Sequence, residues 1–414
     1  MGNNYTPEIR FPEFDGNWGQ RKLKEFGKAT GGTSIESEFS HGGKYKVISI
    51  GSYSENSTYT DQGIRANETE KTKSRVLNKN DLTMILNDKT SSGRIIGRVL
   101  LIDEDNSYVY NQRTERIEPD KKYYDSQFLY QLLNADSIRS KIIQSAQGNT
   151  QIYVNWSSIS ELEYLVPIKE EQTQIAEFFK QLDDMIALHQ QELITLKQTK
   201  QGFLQKMFPK EGEFVPEMRF PGFSGRWEER KLGELAKFSK GSGYSKSDLT
   251  DEGEPIILYG RLYTKYETVI ESVDTFVKVK ENSVISKGNE VIVPSSGETP
   301  EDISRASVVS IPGVILGGDL NIIDPICDID PVFLAVTISN GTQQKELSRR
   351  AQGKSVVHLH NSDLKNVNLL YPEKDEQILI GQFFKRFDET IAFHQQELQL
   401  LKETKKAFLQ KMFI

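Results

Sequence analysis

Apolar residues recur at alternating intervals of four and three through Ile175, Phe179, Leu182, Ile186, His189, Leu193, Leu196, Lys200, Phe203 and Met207, the spacing of a coiled-coil seam. One long helix over 169–208 follows. The pattern returns at Ile380, Phe384, Phe387, Ile391, His394, Leu398, Leu401, Lys405, Phe408 and Met412, so each helix finds its simplest partner in the other copy. The first helix must carry the chain from one globular region to the next and the second must leave the later region, so a side-by-side pair runs antiparallel with a pseudo-twofold axis across its middle. Phe178, Met185, Leu188, Leu204 and their counterparts widen the apolar stripe beyond a two-helix contact. A further surface is expected there. The seam histidines, His189 and His394, are read as register or packing positions with no metal role.

Between the helices the apolar periodicity shortens to that of strands. Lys46–Ile50, Asp81–Leu86, Pro255–Tyr259 and Glu290–Val293 are short β-branched or apolar runs broken by Gly, Asn and Ser turns, with helical stretches at 126–145 and 331–347. In the second region Tyr259, Arg261, Tyr263 and Lys265 alternate, and on an extended strand they project from one face as an aromatic and basic row. Such a row suits a nucleic-acid groove, where cations meet phosphates and arginine reads guanine. The first region offers Ser52, Tyr53, Asn56 and Tyr59, then Lys89, Ser91, Ser92, Arg94 and Arg98 around two glycines. Short hydroxyls, amides and arginines on such loops reach base edges, and the same residues also make ordinary solvated surface.

The chain repeats itself. Glu8-Ile9-Arg10-Phe11-Pro12 through Trp18 and Arg21-Lys22-Leu23 returns as Glu217-Met218-Arg219-Phe220-Pro221 through Trp227 and Arg230-Lys231-Leu232. Residues 170–208 align without gaps to 375–413 with 24 of 39 positions identical, so these are two copies of one unit. The middles diverge, apart from faint echoes such as Ser91-Ser92-Gly93 against Ser295-Ser296-Gly297 and Ala146-Gln147-Gly148 against Ala351-Gln352-Gly353. Shared ends with unlike middles suit a scaffold presenting two different recognition surfaces; drift of an old duplication gives the same pattern without function.

Composition narrows the reading. A chain of 414 residues exceeds one ordinary core, and 36% hydrophobic with 27% charged residues describes a folded chain rather than a disordered one. No apolar run reaches the length of a membrane helix and no secretory leader stands at the start, so a cytoplasmic location is expected. The single cysteine, Cys327, excludes a disulfide framework and is read as packing. A net charge of −7 argues against nonspecific coating of DNA, yet residues 40–100 hold 10 basic and 6 acidic side chains, so a local basic face is available. Phosphate-loop, zinc-protease and nucleophile-elbow motifs are absent, as is the N/D-P-P-Y/F tetrapeptide of adenine methyltransferases. The chain is expected to do no chemistry itself.

The duplicated E-[IM]-R-F-P-x-F-x-G-x-W-x-x-R-K-L opening resembles the specificity (S) subunit of type I restriction-modification enzymes, as does Ala146-Gln147-Gly148 leading through Val166-Pro167 to Glu171-Gln172, Ile175-Ala176, Phe178-Phe179 and Leu182-Asp183. The second copy departs slightly, with Gly381 for Ala176 and Tyr371-Pro372 before Glu376-Gln377. Gly297 to Asp302 and Leu316 to Asp319 also look like segments of the family's target-recognition domains.

The resemblance implies an α+β fold: two mixed α/β target-recognition domains, 1–168 and 209–372, separated by spacer helices 169–208 and 373–414 packed as an antiparallel coiled coil. It implies that each domain reads one half of a bipartite, asymmetric site in double-stranded DNA, with Ser295 and Ser296 joining the candidates above. Two modification subunits would methylate adenine N6 with S-adenosylmethionine, and restriction subunits would use ATP and Mg2+; this chain itself would hold no cofactor. A stand-alone enzyme with two unlike sites and a protein scaffold without a DNA role are the alternatives, separated by assaying the chain alone and by gel shift of the assembled complex.

Overall fold

The heptad runs fold as two long helices, Lys169–Lys206 and Lys374–Met412. The computed structural model describes residues 5–326, 328–353 and 356–414; Cys327 lies outside the described residues. Two compact units divide the chain, one running to Leu188 and adding Glu397–Ile414, the other His189–Gln396. Each unit therefore owns part of both long helices, whereas the sequence reading set its boundaries at the helix ends.

In the first unit Phe178 meets Phe408 edge-on at 4.9 Å while Lys405 reaches back to Asp183 at 2.6 Å, so the helix segments run antiparallel. In the second unit Phe203 meets Phe383 at 5.1 Å and Lys200 is hydrogen-bonded to Asp388, in the same sense. The polar seam positions Lys200 and Lys405 are thus matched by an aspartate on the facing helix. Ile175, Phe179, Leu182, Ile380 and Phe384 are buried, and Ile186, Leu193, Leu196, Phe387, Ile391, Leu398 and Leu401 are half-buried. Met185, Leu188 and Phe393 beside the seam stay exposed, whereas Phe178 and Leu204 are drawn into the cores.

Each unit carries its own sheets. The first has a four-stranded antiparallel sheet ordered Gly27–Gly31, Thr114–Pro119, Leu82–Ile85, Val99–Leu101, and a three-stranded sheet ordered Arg65–Ala66, Tyr45–Ile48, Tyr108–Tyr110 whose last pair is parallel. The second has a five-stranded sheet ordered Ala236–Lys240, Leu320–Pro325, Glu290–Pro294, Ser307–Val309, Val269–Ile270, and a separate four-stranded one. The helical stretches break in two. Ser126–Asn134 and Asp136–Gln144 are separated by extended Ala135, and Pro331–Ile338 and Gly341–Arg350 by a turn ending at Gly341 with φ +65°.

The repeated motifs build one framework twice. The short strands Gly19–Lys22 and Glu163–Val166 pair antiparallel, as do Glu228–Lys231 and Asn368–Tyr371. Arg10 donates to both oxygens of fully buried Glu171 at 2.8 and 2.7 Å, and Arg219 grips Glu376 in the same two-pronged way. Gln172 accepts from the backbone N–H of Asp125 and donates to the carbonyls of Tyr123 and Pro167; Gln377 does the same with Asp330, Asp328 and Pro372. Asp125 and Asp330 then cap the following helices by accepting from Phe128 N and Phe333 N. Gly148 and Gly353 sit where a Cβ would lie 2.1 and 1.9 Å from a carbonyl oxygen, at φ +102° and +139°, so no side chain fits either turn.

Breaking a buried pair on one side leaves the other charge uncompensated, which costs about 3–5 kcal/mol. Glu171→Ala is expected to cost more than Glu376→Ala, because Trp18 Nε1 also donates to Glu171 at 3.2 Å while Trp227 Nε1 has no acceptor among the described residues. Denaturant midpoints of the two variants check this; equal losses would show that the tryptophan bond adds nothing.

Glu115, on the strand Thr114–Pro119, is 5% exposed, and burial pushes its carboxyl up to about 7 against the opposing pull of Arg75. A carboxyl raised in the folded state keeps its proton between about pH 4.5 and 7, where the unfolded chain has released its own, so stability falls as pH rises through that window. Glu115→Gln removes the slope and is expected to raise stability at pH 8 by about 3 kcal/mol while changing little at pH 4.5. Thermal melts at the two pH values decide it, since an equal gain at both would assign the effect to packing.

Candidate nucleic-acid interface

In the first unit the two polar runs converge. Asn134, the last residue of its helix, accepts from Ser57 Oγ at 2.7 Å and from Val99 N at 2.9 Å, tying the loop around residue 57 to the one ending at Val99. Arg98 donates to the Asn134 carbonyl at 3.0 Å, and Arg94 pairs with Glu55 at 3.1 Å. Of the candidates there, Asn56, Lys89, Ser91, Ser92 and Arg94 are exposed. Lys89 has no ion-pair partner among the described residues, and the Arg94–Glu55 pair is exposed on both sides, so water screens it and a phosphate oxygen competes easily.

Other candidates do not face solvent. Ser52 is fully buried with its hydroxyl donating to Val47 O, and Tyr53 is 4% exposed, its phenol pushed well above the usual range by burial. Tyr59 is half-buried edge-on to Tyr108, and burial lifts its phenol to about 12. Arg98 is largely sequestered by its carbonyl contact and by Asp136 at 3.4 Å. Ser52, Tyr53, Tyr59 and Arg98 build the loops. Three of the local basic residues are likewise engaged in ion pairs, since Lys44, Arg65 and Lys73 pair with Glu68, Asp61 and Glu70.

In the second unit Tyr259, Arg261, Tyr263 and Lys265 do not share one face of a strand. The strand ends at Ile257, and Arg261–Thr264 forms one helical turn, with Arg261 N bonded to Leu258 O and Thr264 N to Gly260 O. Burying Leu262 in the local core demands that turn and overrides the apparent alternation. Arg261 is 7% exposed at its side chain, donating to Asp274 at 2.7 Å, Glu267 at 2.8 Å and Ser272 O at 2.9 Å, so it holds the loop together. Lys265 shares Asp274. Tyr263 donates to Ser296 O at 2.5 Å and lies 5.9 Å from Tyr259. Tyr259 is exposed, Ser296 half-buried and Ser295 buried. With Glu298 and Asp302 these tyrosines and Ser296 line an open cleft of about 460 Å³.

The cleft has chemistry the sequence reading missed: it sets a carboxylate-bearing loop beside two aromatic rings, a surface that offers hydrogen-bond acceptors instead of a cation. Glu298 and Asp302 bracket the start of the turn Pro300–Ile303, and their proximity to Tyr259 depends on long-range folding that no local spacing signals.

A family model, type I restriction modification DNA specificity domain, matches residues 15–198 and again 225–403. Two curated relatives from Methanocaldococcus jannaschii are similar over most of their length: the type I restriction enzyme MjaVIII specificity subunit, 22% identical with 81% of this chain and 78% of that one covered, and the MjaIX specificity subunit, 23% identical with 96% and 92% covered. Among solved structures, a type I restriction-modification S subunit from M. genitalium has a TM-score of 0.67 at 18% identity with 99% of each chain covered. A chain from work on complex assembly and conformational transition of the type I R-M system has a TM-score of 0.53 at 16% identity, covering 95% of this chain and 97% of that one. These likenesses agree with a two-domain mixed α/β fold. Among the described residues no helix is long and apolar enough to cross a membrane.

Proposed function

The chain belongs to the type I restriction modification DNA specificity family, matched twice along its length, and from that membership we propose that it reads the two halves of a bipartite DNA site, one with each variable region. The single observation supporting two separate readers is a framework whose Arg–Glu and Gln contacts recur beneath unlike polar surfaces. The Arg–Glu grip and the Gln cap recur in both units, while Asn56, Lys89, Ser91, Ser92 and Arg94 face outward in one and Tyr259, Ser296 and Glu298 line the cleft in the other. The first surface suits phosphate and purine contacts and the second suits a base that donates.

On this reading the chain is non-catalytic and works in the cytoplasm. Two modification subunits dock on the helix pair, where Met185, Leu188 and Phe393 are exposed; they bind S-adenosylmethionine and methylate adenine N6 after extruding the base. Restriction subunits add ATP- and Mg2+-dependent cleavage through them. Long-read mapping of methylated adenine in cells carrying the chain with its modification partner tests the proposal. One asymmetric motif in two parts with a fixed gap is the expected result, and a contiguous motif would overturn the two-reader reading.

The basic side chains fall into two classes, exposed ones on the first surface and a buried one that holds a loop together. Lys89→Ala with Arg94→Ala is expected to weaken DNA binding by the assembled complex and to lower the slope of log affinity against log salt by about 2, one for each phosphate contact. Arg261→Ala is instead expected to lower the denaturation midpoint, since it strips Glu267 and Asp274 of their shared cation. A DNA-binding loss by Arg261→Ala at full stability would restore that residue to the interface.

A further inference from the structure

Where the two copies of the seam cross, the same residue arrives from both sides. His189 and His394 occupy equivalent positions of the duplicated helices, each opening a His-Gln-Gln-Glu run, and their Nδ1 atoms lie 3.2 Å apart in the second unit. Glu192, one turn beyond His189, brings Oε2 to 3.7 Å from His189 Nδ1 and 3.4 Å from His394 Nδ1. Three ligand atoms from two helices thus converge, all within 4.8 Å of one another. The imidazoles are only 17% and 19% exposed, and their ring centroids lie 5.4 Å apart.

These separations select an ion. Tetrahedral zinc with bonds of about 2.0–2.1 Å holds its ligand atoms about 3.3–3.4 Å apart, near the middle of the three observed distances. Square-planar copper or nickel would need neighbouring ligands at about 2.8 Å, and calcium and magnesium prefer oxygen-only shells. Two imidazoles and one carboxylate are a zinc donor set, with the fourth position left for water.

Packing alone explains the pair less well. Elsewhere the seam is apolar, including Leu182 matched by Phe387, apart from Lys200 and Lys405, each paired with an aspartate of the facing helix; this one level places two ring nitrogens face to face beside a carboxylate. We propose that His189, Glu192 and His394 bind one zinc-class divalent cation that clasps the two long helices and pins their register. The clasp does not depend on what the variable regions read. It revises the reading of these histidines as register or packing positions with no metal role, because a cation bonded to both helices fixes register more tightly than packing does.

The test uses the full chain without a histidine tag, stripped with a chelator. Titration with Zn2+ in competition with a chromophoric chelator is expected to show one equivalent bound per chain, and Co2+ to give the intense visible absorption of a tetrahedral site. His189→Gln and His394→Gln should each weaken Zn2+ binding by at least about tenfold, since losing a direct ligand costs no less than losing a group that only hydrogen-bonds one. His189→Leu with His394→Leu restores an ordinary apolar seam and should abolish binding and the Zn2+-dependent rise in melting temperature while the circular dichroism stays that of the parent. Zn2+ binding by the parent no tighter than by the single Gln variants would overturn the proposal. A Co2+ complex of the parent without tetrahedral absorption would overturn it even if the leucine pair failed to fold.

Discussion

Exchanging residues 27–145 for the corresponding segment of another family member is expected to change one half of the methylated motif and leave the other half intact. The junctions are well placed: residue 27 opens the first strand of the four-stranded sheet, and residue 145 follows the helix Asp136–Gln144. What the graft must supply is equally defined. Gln172 stays behind and requires a backbone donor and a carbonyl where Asp125 and Tyr123 stood, and Phe413 requires an aromatic partner where Phe128 packs at 5.7 Å. Asp183 also loses the Gln131 amide that donates to it at 2.9 Å. A donor segment with Asp and Phe at those two places meets the demands, as Asp330 and Phe333 do in the second copy. Methylated-adenine mapping reads the outcome, and a simultaneous change in both halves would show that the two regions do not read independently.

Some of this architecture was legible in the chain and some was not, for physical reasons. Heptad spacing survives because every seam position must be covered over ten turns, so many residues vote for one geometry. Glu171 and Gln172 stood out as motif residues, yet their contacts span 161 and 47 residues, and only folding shows that both serve the framework rather than DNA. The Tyr259 to Lys265 row failed because a four-residue alternation is weak against the burial of Leu262, which needed a helical turn. Ser91-Ser92-Gly93 was a false echo. Ser296 pairs with His358 as Asn87 pairs with Tyr153, so the structural counterpart of Ser295–Gly297 is Leu86–Asp88. The Ala-Gln-Gly echo holds, because Gln147 and Gln352 bridge Tyr153 and His358 and each following glycine meets a carbonyl that no Cβ could approach.

Candidate base contacts were the least legible because exposure is a tertiary property. Ser52 and Asn56 lie four residues apart in one polar run, yet the first turns inward to close a capping box with Ser49 while the second faces water. The same holds for Arg94 against Arg98, one turn of loop apart and on opposite sides of the boundary between surface and core. Polar composition identifies such loops, but which members face outward is decided by partners such as Asn134, 35 and 77 residues from the loop residues it binds.

Lengthening both long helices by one turn is expected to lengthen the gap between half-sites without altering either half. Within the second unit Lys200 meets Asp388 and Phe203 meets Phe383 on one side, while His189 meets His394 on the other. Four residues inserted after Leu196 alone would push Lys200 and Phe203 about 6 Å past their partners and rotate them by about 40°, breaking the seam. A matched insertion of four residues between Ile391 and Ala392 restores every pairing, because the added turns then face each other. The paired helices grow by about 6 Å, which corresponds to one or two base pairs at about 3.4 Å each. The single insertion is therefore expected to lose methylation through instability, and the double insertion to recover it on DNA with a spacer one or two base pairs longer. Alanine-rich inserts with Leu at the seam position keep the added turn helical and covered. A stable double-insertion protein that still methylates only the original spacing would show that the helices do not measure the gap.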